Sequence, residues 1–474
     1  MIMRRIARNS VVRAIARRVL PSSFRGKVVA TVIKPPEVDW FRKMLAVNAS
    51  MSVVPGRVLM VCGSLQPGGA ERQVVNTLIG LADSPVESVT LLCDYLEGGT
   101  PEKRDFYLPL ALESGAPVRT IKTHGQRHNE EGLPQAFLDI APQLHPSLVL
   151  DITNLYFEFR TMRPEVVHAW LDWSNVRVGL AAMLAGVPKV VLSGRNLSPR
   201  HFDLNTEYFH PIYKALSEYS GDRVIFLNNS QAGACDYADW LEMPSDRIDV
   251  IRNGVQFTDD LRPSSEYNVA FRERLGIPAD APLIGGMFRF SAEKQPLLWI
   301  ESAAKIAEIM PDAHFILFGQ GSMLSVMQRA VKEHGIEMQT HFFGVIAPAL
   351  NGLSPCDLIM LTSTGEGTPN VLLEAQWLGL PVVTTDAGGA GEAVLDGITG
   401  TVVKQNDADV IADATVTILQ NEKFREMARE AGPAFISERY GMSRMIRETL
   451  SVYKLEGGAN LEIPSSQAVE SEVQ

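Results

Sequence analysis

The sequence predicts an α/β protein built from two doubly wound, parallel-sheet domains in tandem. Three observations carry that prediction. The chain has 474 residues, too many for one ordinary core. Short apolar runs of strand length alternate with helical patterns twice, first over residues 57–250 and again over 282–403. Several of these runs end in glycine-rich turns that open the next helix, the usual handover from a parallel strand to its crossover helix. Hydrophobic content of 46% and charged content of 21% suit a globular chain. Since no apolar run approaches about 18 residues, no transmembrane span is expected.

The chain opens with a basic arm, residues 1–55. Residues 1–36 hold nine Lys and Arg and no acid, while the whole chain carries a net charge of −11. An acidic body argues against nucleic acid as a partner. For the arm itself three readings stand: a flexible segment, a transit-type composition, or a contact with an anionic membrane surface. Cys62, Cys93, Cys235 and Cys356 are widely spaced and share no metal-ligand pattern. A reduced, cytoplasmic compartment is expected, with peripheral attachment to a membrane if the arm binds one.

A first domain is expected over residues 56–258. RVLMVC, 57–62, reads as a buried parallel strand. The loop from Gly63 to Arg72, with Gly68 and Gly69 before a helical pattern at Val74, Val75, Leu78 and Ile79, reads as an anion cradle or as a plain tight turn. Further strands are expected at 88–92, 166–170, 189–193 and 223–227. Ligands of such sheets bind at the carboxyl ends of strands, which puts His168, Trp170, Asp172, Arg195 and Asn196 at the working edge. His168 suits catalysis or a core position, Trp170 a sugar platform or a core indole, and Arg195 and Asn196 an acceptor contact or a cap.

After a polar linker with a short helix, 258–280, a second domain is expected over 259–435. The strand 282–290 runs into Arg289 and Lys294, two cations at one strand end. In 314–321 the start of G-x-G-x-x-G is present, but its third glycine would fall at Leu324, so the dinucleotide signature fails. A strand 357–362 leads into a Gly/Ser/Thr loop. Thr368 is then expected as N-cap and Pro369 as first helical residue, leaving the amides of Asn370, Val371 and Leu372 as an anion site. Glu366 and Glu374 flank that helix start with seven residues between them. Carboxylates accept from hydroxyls, so a ligand bearing both phosphate and sugar hydroxyls, a nucleotide sugar, fits the combination. Asp407 and Asp409 follow the strand 400–403 and read as helix capping in preference to a metal D-x-D. Residues 424–456 read as amphipathic helix, with breaks expected near Gly432-Pro433 and at Gly441, and 457–474 as a disordered tail.

Glu366-Gly-Thr-Pro, followed by Leu372-Leu-Glu374-Ala and Gly379-Leu-Pro-Val382, resembles the E-x7-E signature of the family 4 retaining glycosyltransferases. The resemblance covers roughly residues 56–455. It implies the GT-B fold, in which two Rossmann-like domains face a cleft and a terminal helix, here 436–456, crosses back to the first. It implies transfer of a sugar from a nucleoside diphosphate sugar to an acceptor hydroxyl with retention, without cofactor or metal. By the same resemblance Glu366 contacts the transferred sugar, Glu374 binds the ribose, and Arg289 with Lys294 grips the diphosphate. Gly344 and Val345 read the base through backbone, Gly367, Thr368, Asn370, Val371 and Leu372 line the donor site, and the Gly68-Gly69 loop approaches the donor phosphate. The family often shows His-x-His where this chain has His168-x-Trp170, which leaves open whether His168 or a neighbouring loop residue takes that role. A glycan or an undecaprenyl-type lipid-linked saccharide is the expected acceptor. Two other readings are a sugar-nucleotide epimerase or phosphorylase on the same fold, and an inactive membrane-associated scaffold.

Overall fold

Valine, isoleucine and leucine runs buried on both faces make parallel strands, and here they assemble two separate sheets. The computed structural model describes residues 36–46, 49–96, 104–122, 132–202, 206–221 and 223–455. The first sheet holds β1 (Val54–Cys62), β2 (Ser88–Cys93), β3 (Val118–Thr120), β4 (Pro164–Trp170), β5 (Lys189–Ser193), β6 (Val224–Asn228) and β7 (Ile248–Val250), in the order β3-β2-β1-β4-β5-β6-β7. The second holds β8 (Leu283–Met287), β9 (His314–Phe318), β10 (Thr340–Gly344), β11 (Leu358–Leu361), β12 (Val382–Thr385) and β13 (Gly400–Val403), in the order β10-β9-β8-β11-β12-β13. Neighbouring strands in both sheets run parallel. In each sheet the strand order reverses at one point, between β1 and β4 and between β8 and β11. A crevice opens there beyond the strand carboxyl ends.

Three features depart from the sequence reading. β3 is an additional strand, three residues with one apolar side chain, too short to give a pattern. The helix Val38–Leu45 buries Phe41, Met44 and Leu45 in the first core, so the first domain reaches back into the segment expected as an arm. The helix Glu422–Tyr440 runs unbroken through Gly432-Pro433, and the chain bends only at Gly441. From there Met442–Tyr453 crosses back and puts Met445, Ile446 and Tyr453 into the core beside β1 and β4. Asp407 caps the helix Ala408–Gln420, accepting from Asp409 N at 2.9 Å and Val410 N at 3.2 Å. Expectations for the basic residues up to Lys34 and for the tail 457–474 lie outside the described residues.

Candidate active site

The crevice between β8 and β11 is assembled by hydrogen bonds between the loops that leave these strands. Thr362 Oγ1 donates to the carbonyls of Lys294 and Gln295, both at 3.2 Å, and Thr364 N donates to Glu293 O at 2.9 Å. These bonds set the loop after β8 against the loop after β11. Lys294 Nζ bonds Glu366 Oε1, which also accepts from Ser363 Oγ at 2.6 Å. Glu366 is buried, and its carbonyl accepts from Gly389 N at 2.9 Å, bringing in the loop after β12. The Arg289 side chain is exposed, with no hydrogen bond or ion pair among the described residues, while its carbonyl accepts from Ser291 N at 2.9 Å. Gly344 ends β10, two strands beyond β8, and Val345 follows it; Gly344 takes φ +82° and leaves its backbone uncovered by a side chain at that rim, and Val345 is exposed.

The helix after β11 starts at Asn370, with Pro369 in the capping position, one residue later than expected. Thr368 is not the cap, because its hydroxyl donates to Asn229 O of the first domain at 2.6 Å. Leu372 N donates to Pro369 O at 3.1 Å. The expected trio of free amides therefore reduces to Asn370 and Val371. Gly367 is demanded by proximity: a Cβ there would lie 2.3 Å from Asn229 Oδ1 and 2.4 Å from Arg195 O. Glu374, on the second turn, is buried and bonded to Arg72 of the first domain.

On the facing side, the helix Gly69–Ala82 begins after Gly68. Its N-terminus is not an open anion cradle. The Glu71 carboxylate folds back over Gly68, where a Cβ would meet Oε2 at 2.1 Å, and Gln66 Nε2 donates to it at 3.0 Å. Burial pushes the Glu71 carboxyl up in pKa, and Arg289 across the cleft pulls the other way. Gly69 contributes its carbonyl, which accepts from Asn370 Nδ2 at 3.1 Å.

His168 and Trp170 are not in the cleft. Both are 2% exposed, stacked on each other at 4.9 Å and covered by the terminal helix, whose Tyr453 hydroxyl lies 2.8 Å from His168 Nδ1. Burial, aided by Arg195, lowers the His168 pKa to about 3. A neutral, sealed imidazole is a core group, and the catalytic assignment of His168 is corrected to that. Asp172 is engaged within the first domain, accepting from Tyr213 at 2.7 Å and Tyr237 at 2.6 Å. Arg195 lies over the Trp170 ring at 4.6 Å and donates to Asn253 Oδ1 at 2.5 Å; burial lowers its pKa to about 9. Asn196 Oδ1 accepts from Leu197 N at 2.8 Å, a turn-forming contact.

Sequence reasoning missed Asn253, the hub between the domains. Its Oδ1 accepts from Arg195 and Asn229, and its Nδ2 donates to Thr368 O at 2.9 Å and Asn370 Oδ1 at 2.7 Å. It also missed Glu392, which accepts from Gln231 N at 3.0 Å and Ala232 N at 2.8 Å and so caps a first-domain helix from the second domain. In neither stretch does a local signal mark a partner from the other domain.

Two doubly wound sheets meeting at their strand carboxyl ends, with a terminal helix returning to the first, define the GT-B class. The chain matches the model described as Glycosyl transferases group 1 over residues 269–435 and that described as Glycosyltransferase Family 4 over residues 67–258. It belongs to this glycosyltransferase family. It is 32% identical over 377 residues to the Vi polysaccharide biosynthesis protein VipC/TviE of Salmonella typhi, an alignment covering 75% of this chain and 63% of that protein. The chain thus spans somewhat under two thirds of that relative. Identity is 25% over 292 residues to the Escherichia coli UDP-Gal:alpha-D-GlcNAc-diphosphoundecaprenol alpha-1,3-galactosyltransferase, covering 60% of this chain and 74% of that enzyme. Among solved structures, Anabaena HepE in complex with UDP and glucose superposes with a TM-score of 0.68 at 21% identity, over 84% of this chain and 99% of that one.

Proposed function

We propose that the protein moves a sugar from a nucleoside diphosphate sugar to an acceptor hydroxyl, with retention at the anomeric carbon and without metal or cofactor. The observation that carries this reading is the convergence of Arg289, Lys294, Glu366 and the helix bearing Glu374 on one crevice. In this reading Arg289, Lys294 and the amides of Asn370 and Val371 take the diphosphate, Glu374 the ribose, and Glu366 the hydroxyls of the transferred sugar, with the base against the Gly344-Val345 backbone. The bond from the anomeric carbon to the diphosphate breaks with its electron pair on the phosphate oxygen, where the cations hold the growing charge. The acceptor oxygen bonds the anomeric carbon on the same face, and its proton passes to that phosphate oxygen. Lys294 is well placed to turn from Glu366 to the phosphate as the charge develops.

The names of the relatives support a role in polysaccharide or lipid-linked glycan synthesis, which we take to be that of the cell surface. The acceptor then enters past the first-domain edge near Asp172, Arg195 and Asn196. We place the protein in the cytoplasm, held at an anionic membrane by residues 1–36. Among the described residues no helix is long and apolar enough to cross a membrane. The test is a pair of variants. Glu374→Gln should chiefly weaken binding of free nucleoside diphosphate, and Glu366→Gln should chiefly lower kcat at saturating donor. Equal effects of the two on nucleotide affinity would count against the division of roles.

A further inference from the structure

Arg72 stands at the seam between the two sheets, and the proposed reading gives it no task. It belongs to the glycine loop of the first domain, yet its Nη1 bonds Oε1 of Glu374 on the donor helix of the second. The two side chains are 20% and 4% exposed, so the pair is largely desolvated. Its second nitrogen, Nη2, is buried without a hydrogen-bond partner among the described residues. Keeping such a donor unpaired is costly, and an acceptor that arrives with a ligand removes the cost. The surroundings match a phosphate-bearing ligand: Arg289 acts on the neighbouring Glu71 across the same cleft, and the Tyr107 phenol lies within reach of the fields of both Arg72 and Glu374.

We propose that Arg72 is a donor-positioning residue supplied by the acceptor domain. One arm of its guanidinium fixes Glu374 so that the free carboxylate oxygen takes the ribose hydroxyls, and the other arm donates to an oxygen of the nucleoside diphosphate. The inference rests on the reading of Glu374 as the ribose carboxylate. It makes the donor a ligand of both domains at once, so that nucleotide binding draws on their approach. A planar fork is needed for two simultaneous bonds; an ammonium neutralises Glu374 but does not bridge.

Calorimetric titration of the full chain with UDP, GDP, ADP and dTDP tests this, on the parent and on Arg72→Lys, Arg72→Ala and Glu374→Gln. Arg72→Lys should keep the ligand-free melting temperature of the parent but bind the preferred nucleotide at least about tenfold more weakly, the scale of one charge-assisted hydrogen bond. Arg72→Ala should lose both affinity and melting temperature. A Lys variant that binds as tightly as the parent, while Glu374→Gln is weakened, overturns the inference and leaves the ribose reading standing. If Glu374→Gln binds as tightly as the parent, the ribose reading fails and takes the inference with it. A folded parent that binds none of the four nucleotides overturns both.

Discussion

Arg289 and Lys294 differ in how the protein holds them. Lys294 is paired with Glu366, whereas the Arg289 guanidinium is exposed with no hydrogen bond or ion pair among the described residues. Both are assigned to the leaving diphosphate, and interactions stronger in the transition state than in the ground state act on kcat. Arg289→Ala and Lys294→Ala should each lose about 100-fold or more in turnover at saturating donor, the usual effect of removing one such donor. A raised KM with kcat unchanged would mean uniform binding and would remove both from the leaving group. The Lys294→Ala variant should also lose stability, since it strands a buried Glu366; a ligand-free melting curve reads that separately. Their place just beyond the end of β8 was legible in the sequence, because both follow an apolar strand directly. The Arg72 partner of Glu374 was not, because the two lie 302 positions apart. His168 looked like a cleft residue for the same reason: the Tyr453 that seals it arrives 285 positions later.

At the scale of elements, packing overrides local preference in two places. An interior proline costs a helix about 3 kcal/mol, yet Glu422–Tyr440 continues through Pro433, with Gly432 lying against the helix Asn370–Trp377 that bears Glu374. A Cβ on Gly432 would stand 2.3 Å from the carbonyl oxygen of Gln376, two residues after Glu374. Helix propensity alone predicts that Gly432→Ala stabilises by about 1 kcal/mol. The contact reverses the sign, because a backbone carbonyl has nowhere to move without the helix. Gly432→Ala should lower the melting temperature and raise the KM for donor, and a variant more stable than the parent would show that the two helices separate freely. The second place is the terminal helix, held to β4 through Tyr453 and His168. The His168 pKa is depressed to about 3 from an ordinary value of 6.5. Between those values the unfolded chain binds a proton that the folded one does not, so this contribution is complete above pH 6.5 and is lost as pH falls toward about 3. His168→Gln should flatten the fall in unfolding free energy between pH 6.5 and pH 4 measured by urea titration; an unchanged slope would assign the acid limb to other groups. Strands were easily read because buried parallel strands are continuous apolar runs, and β5 and β13 coincide with their expected bounds. The unbroken helix was not, since the surface it packs on is absent from its own sequence.

The whole molecule is held together by a hinge and a polar seam. At the hinge the chain crosses between domains twice, and the crossings bond each other: Val255 N donates to Tyr440 O at 2.8 Å and Met442 N to Val255 O at 3.1 Å. Arg444 Nη2 straps this point by donating to the carbonyls of Arg252 and Asn253, each at 2.9 Å. The seam includes the Asn253 bonds to Thr368 and Asn370, the Thr368 and Asn370 side-chain bonds to Asn229 O and Gly69 O, the Arg72 pair with Glu374, and Glu392 capping the helix Gln231–Leu241. Polar interfaces of this kind let domains move relative to one another, and the proposed donor site, with residues from both sides, requires that they do. Glu392 is the seam member farthest in role from the proposed chemistry, so it isolates closure from catalysis. Its carboxylate accepts two amide hydrogen bonds and faces Arg252 at 3.4 Å. Hydrogen bonds to a charged group contribute about 1.5–3 kcal/mol each, a large part of what can hold two domains closed without ligand. Glu392→Ala should therefore increase the ligand-free radius of gyration in small-angle scattering while leaving the far-ultraviolet circular dichroism of the parent intact, because Ser230 still caps the same helix through Gly233 N at 3.1 Å. Saturating nucleotide should restore the parent radius, since donor contacts from both domains replace the lost bonds. An unchanged radius without ligand would locate the closing force in the hinge, and a radius that stays large with nucleotide bound would show that the donor is gripped by the second domain alone.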